Sequence, residues 1–164
     1  LLWPSAFFER HIVYECPKGY VADKVFYTIT GDVTSGTKAF LNSSVVSLLV
    51  EVEGYQLNHG GIFVTTEWLS RLPVLAGGDP QLNALYEVVA ARDVLLCGDE
   101  LSRADREALD SRVLELMGLS PVVTLATMHE GIRAYTAGRI HKARRATTKR
   151  GRTDRTGVGG GGVE

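Results

Sequence analysis

The sequence predicts an α+β fold, a small antiparallel sheet with helices packed on one face, followed by a basic and then glycine-rich C-terminal tail. Three observations lead there. β-Branched and aromatic residues cluster in short runs at 11–16 and 25–30, bounded by turn residues. Apolar residues recur at helical spacing in several longer segments. Cationic residues crowd into the last part of the chain, which closes on a Gly-rich run at 157–162. The 164 residues are 45% hydrophobic and 23% charged, enough for one domain with a sizeable core. A body at 1–138 and a flexible tail at 139–164 are therefore expected.

Taken in order, the run at 11–16, the turn Pro17-Lys18-Gly19 and the run at 25–30 read as a hairpin. A loop at 31–36 leads into a helix at 37–52, where Ala39, Phe40, Ser43, Val46, Ser47 and Val50 share helical spacings. Between 53 and 78 the signals are mixed, with a short helix expected at 66–72. Asp79 and Pro80 form an N-cap and first helical position for a helix reaching about residue 91. Residues 94–97 read as a short apolar strand ending at Gly98-Asp99-Glu100. Ser102 and Asp105 signal the start of a helix whose apolar side is Leu109, Val113, Leu116 and Met117, with Gly118 as its stop. A strand at 122–128 and a connector between Gly131 and Gly138 complete the body.

Charge and cysteine usage narrow the function classes. The net charge is -1, yet Arg139, Lys142, Arg144, Arg145, Lys149, Arg150, Arg152 and Arg155 sit together, leaving the remainder acidic. A basic arm on an acidic body suits phosphate contacts, because cations gain affinity by releasing counterions from nucleic acid; a solvated tail is the plainer reading. Arg144, Arg145, Lys149 and Arg150 are the candidate contacts. No stretch has the roughly 20 apolar residues of a membrane span, and no secretory leader is visible. Cys16 and Cys97 form neither a disulfide framework nor a zinc motif. The opening Leu1-Leu2-Trp3, without Met, points to a processed product or a piece of a longer chain.

Two local patterns carry possible chemistry. Thr34-Ser35-Gly36 opens a helix containing Asn42-Ser43-Ser44, directly after the expected hairpin. The expected strand at 94–97 delivers Gly98-Asp99-Glu100 into a turn, where two carboxylates can share divalent ions; oxygen ligands suit Mg or Mn. Each pattern alone is ordinary capping or turn chemistry.

In their order, these parts resemble the palm region of viral RNA-dependent RNA polymerases, across about residues 11–128. Ser35-Gly36 with Asn42 is similar to motif B, Gly98-Asp99-Glu100 to motif C, and residues 102–128 to motif D. The resemblance implies a palm-like sheet and RNA-templated RNA synthesis by two-metal nucleotidyl transfer, with Asp99 and Glu100 as catalytic, metal-holding residues. It also implies Ser35 and Gly36 against template and incoming nucleotide, Asn42 or Ser44 at the ribose 2′-hydroxyl, and His129 as a candidate proton donor. Implied partners are an RNA template, nucleoside triphosphates and the remainder of the polymerase, in the host cytoplasm or a virion. Motif A has no match, since Asp23 alone precedes the 31–36 loop; Glu100 replaces the usual second aspartate. Such a chain is not expected to polymerise alone.

The rival reading is a non-catalytic RNA-associated structural subunit of a ribonucleoprotein or viral particle. It needs only the basic arm. Other enzyme classes find little support, because GxxxxGK, HExxH and Gly-x-Ser-x-Gly are absent and His11, His59, His129 and His141 are widely spread.

Overall fold

The structure, a computed structural model, describes residues 1–16, 23–75 and 77–156, with side chains as far as residue 146. Strands β1 (Leu2–Pro4), β2 (Ala6–Phe7) and β3 (Phe26–Thr28) lie at the start of the chain. β1 pairs antiparallel with β3, and Leu2 also bridges Tyr14 on its other side. The two runs read as a hairpin thus flank β1, which stands between them. A strand of three residues shows too little alternation to be read from sequence. The turn at Pro17-Lys18-Gly19 lies outside the described residues.

A second sheet has the order β2, β5 (Ile62–Phe63), β4 (Tyr55–Gln56), again antiparallel. The turn joining its last two strands closes through a Leu57 N–H to Gly61 carbonyl bond of 2.8 Å, with Gly60 at φ +88°. The α+β class is borne out, with 53% of residues helical and the sheets small.

Helix α1 (Ser35–Leu41) is capped by Thr34, whose hydroxyl accepts from the Thr37 N–H at 3.1 Å. Instead of running on to residue 52 it stops at Asn42, and α2 (Ser44–Glu53) begins after Ser43. The side chains at the break explain it, as the Asn42 amide bonds the Val13 backbone and the Ser43 hydroxyl donates to the Phe40 carbonyl. α3 (Thr66–Arg71) and α4 (Pro80–Ala90) fall where expected, with Asp79 accepting from the Leu82 N–H at 2.6 Å.

Residues 94–97 are not a strand. The Leu95 N–H donates to the Glu100 carboxylate and the Cys97 N–H to the Glu9 carbonyl, so neither serves a ladder, and α5 (Cys97–Glu100) is a single helical turn. α6 (Ala104–Leu116) starts after Arg103 rather than Ser102 and ends before Gly118, at φ +69°. Its buried stripe is Arg106, Leu109, Asp110, Val113 and Leu114, whereas Leu116 is exposed.

The expected strand at 122–128 and the connector after it also give way to helix. The Val122 and Val123 N–H groups both turn back to the Leu119 carbonyl, Thr124 caps the next turn, and α7 runs from Leu125 to Thr156. Thirty-two residues at about 1.5 Å each make a rod of roughly 48 Å. The boundary expected at residue 138 therefore falls inside one helix, and 139–156 is not a coil. The Gly-rich run at 157–162 lies outside the described residues.

α2 packs mainly on α7, and α4 lies against both α1 and α6. Trp3, Phe40, Val46, Ile62, Leu109 and Ile132 are fully buried between these helices and the sheets. Trp3 meets Phe7 edge-on at 5.4 Å, joining the two sheets. Among the described residues no helix is long and apolar enough to cross a membrane.

Candidate nucleic-acid interface

The two carboxylates of Gly98-Asp99-Glu100 do not face one site. Asp99 is exposed on α5, whereas Glu100 is buried. Glu100 accepts two bonds from Arg92 at 2.9 and 3.0 Å, one from Arg106 at 2.9 Å and one from the Leu95 N–H at 2.9 Å. Burial pushes its carboxyl up, but Arg92, the Leu95 N–H and Arg106 together outweigh burial and hold it below the usual range. Arg92 continues to Asp105, and Arg106 reaches the Asn42 carbonyl at 2.6 Å. Glu100 thereby ties α5 and α6 to the α1–α2 break. A carboxylate already saturated by guanidinium and backbone donors does not fit Mg or Mn, and no group of three or more metal-ligating side chains occurs among the described residues.

Ser35 and Gly36 lie at the opposite end of α1 from Asn42. Gly36 is buried so closely that a Cβ there would stand 2.5 Å from the Gly77 carbonyl oxygen. Asn42 is occupied by the Val13 backbone and the Lys38 carbonyl, and the Ser44 N–H donates to Asp110 at 2.8 Å. Asn42, Ser44 and Glu100 nevertheless line one cavity beside His11 and Arg106. Its volume is about 50 Å³, room for a water or two and far below the few hundred Å³ of a small-molecule site.

His129 is not at a strand end but buried on α7, its Nε2 2.9 Å from Asp110. Asp110 supplies from α6 the cap that Ser43 leaves unmade at the start of α2. His129 faces no open site.

α7 presents a different surface. Met128, His129, Ile132, Thr136 and Arg139 are buried in a helical stripe against the body. Arg139, counted in the basic arm, is only 2% exposed and is not a phosphate contact. It pairs with Glu51 through bonds of 2.6 and 3.2 Å, and donates to the Gly60 carbonyl and to the Phe8 carbonyl at 2.7 Å. Thr136 completes the set, donating to Glu51 at 2.8 Å. Lys142, Arg144 and Arg145 remain exposed, with Arg144 on the flank that faces the Phe8–His59 groove. The side chains of Lys149 and Arg150 lie outside the described residues, but the backbone there is still helical.

Beside this ridge runs an open groove of about 440 Å³, lined by Phe8, Glu9, His59, Gly60, Ile140, Ala143 and Arg144. Phe8 and His59 are exposed, with ring centroids 5.5 Å apart. Neither residue was singled out in the sequence as a contact; the available signal was the Gly60-Gly61 pair, which marks a tight turn but not what it packs on.

No protein-family model, curated protein or solved structure matches this chain. The functional reading rests on its own geometry and charge.

Proposed function

We propose that the chain is an RNA-associated, non-catalytic protein whose basic helix α7 lies along the phosphate backbone. One observation carries this reading: exposed Lys142, Arg144 and Arg145 stand on a continuous helix that goes on through positions 149, 150, 152 and 155, all cationic. Cations already ordered on a rod lose less conformational entropy on meeting a polyanion than the same residues on a coil. Arg139 and Thr136, locked onto Glu51, anchor that rod to the acidic body. The test is anisotropy of a labelled single-stranded RNA with the wild-type chain and a Lys142→Glu/Arg145→Glu double variant. A loss of at least about tenfold is expected in the variant, and equal affinities would refute the reading.

A second reading, a palm fragment of an RNA-dependent RNA polymerase, is favoured by the convergence of Asn42, Ser44 and Glu100 on one cavity despite their distance in sequence. It requires Glu100 to leave Arg92 and Arg106 before it could join Asp99 on a divalent ion. Manganese titration separates the two readings. Saturable binding that is lost in Asp99→Asn supports the palm, and absence of binding in both proteins supports the structural role of Glu100.

A further inference from the structure

The groove beside the α7 ridge is lined for something other than phosphate alone. It is lined by the exposed rings of Phe8 and His59, by Gly60, Ile140 and Ala143, and by one residue of each charge, Glu9 and Arg144. A phosphate entering would meet one carboxylate and one guanidinium, with no net charge to hold it, whereas the π-face of a base meets rings and aliphatic carbon. The ring pair is also held in place. A Cβ on Gly61 would stand 3.2 Å from the Phe8 ring, so this ring lies directly over a residue that offers no side chain. A Cβ on Gly60 would stand 3.1 Å from the Ala143 Cβ, which seats the His59 turn on α7. Buried Arg139 binds the carbonyls of both Phe8 and Gly60, fixing the two ring-bearing segments to the helix that carries Lys142 and Arg145.

We propose that Phe8 and His59 form a stacking platform for an unpaired base, so that the RNA recognised is single-stranded, with a base over the groove and its backbone passing Arg144 toward the other exposed cations of α7. This rests on the RNA-binding reading above and adds the substrate class. In a duplex the faces of the bases are stacked on one another and cannot reach the rings; charge alone would not distinguish the two forms.

The experiment compares an oligouridine of about twelve nucleotides, a duplex of equal length and inorganic polyphosphate, each titrated into the full chain and into Phe8→Ala and Phe8→Leu variants. Phe8 is exposed, and the leucine variant keeps an apolar contact over Gly61 while removing the ring, so loss of fold is controlled. Both variants are expected to weaken oligouridine binding by at least about fivefold, the factor equivalent to ~1 kcal/mol of stacking, and to leave polyphosphate binding unchanged. Oligouridine binding unaffected by either variant, or duplex bound as tightly as the single strand, overturns the platform while leaving the basic helix standing. Wild-type protein that binds neither oligouridine nor polyphosphate overturns both proposals.

Discussion

Replacing Glu100 by Gln keeps its shape and removes the charge that Arg92 and Arg106 share. A buried pair broken on one side leaves an uncompensated ion, so a loss of roughly 2–4 kcal/mol is expected in urea denaturation; a loss below ~0.5 kcal/mol would show that the clamp is not structural. His11 sets a separate dependence on pH. Burial is the main cause that lowers its pKa to about 4, with Arg106 acting the same way and the Leu41 carbonyl opposing. The unfolded chain takes up this proton near its ordinary value of 6.5, so between pH 6.5 and 4 the unfolded state holds more protons and stability falls as pH falls. His11→Gln should flatten that part of a stability–pH curve. A further loss from about pH 4 downward belongs to Asp105, whose carboxyl the Arg92 hydrogen bonds lower to about 2. The sequence showed Asp99 and Glu100 as a carboxylate pair but not what surrounds them. Arg92 and Arg106 lie eight and six residues from Glu100, and only the single turn of α5 folds both onto it.

At the scale of elements, capping and turn chemistry was legible and strand extent was not. Asp79-Pro80 and Gly118 mark their helices because each acts through its own backbone neighbourhood. The run at 94–97 is apolar in a strand-like way, yet its N–H groups go to Glu9 and Glu100, partners no local pattern encodes. α7 was obscured because its buried stripe includes His129, Thr136 and Arg139, and because Gly131 and Gly138 read as breakers. Two substitutions check these accounts. Gly36→Ala places a methyl against the Gly77 carbonyl and should cost about 1–3 kcal/mol, giving the Ser-Gly pair a packing role whatever its function. Arg139→Met should cost roughly 3–5 kcal/mol by leaving Glu51 buried without its partner, read as a lower melting temperature. Unchanged melting in either variant contradicts the packing described.

Across the whole molecule, the α+β class and the uneven charge were readable from composition and pattern, whereas the two-sheet arrangement was not, since β1 and β2 are contributed by residues 2–7 in strands of three and two residues. The body uses many of its charges internally, in the Glu100 and Glu51 clusters, and the exposed cations are densest on α7, whereas Arg10, Lys24, Arg71 and Arg103 stand singly on the body. That segregation is the central claim, and the salt dependence of single-stranded RNA binding tests it most directly. If Lys142 and Arg145 each neutralise a phosphate, log affinity should fall with log salt more steeply in the wild type than in Lys142→Glu/Arg145→Glu, by a slope difference of at least about 1.4. Equal slopes in the two proteins, or an affinity indifferent to salt, would contradict a phosphate-binding role for α7.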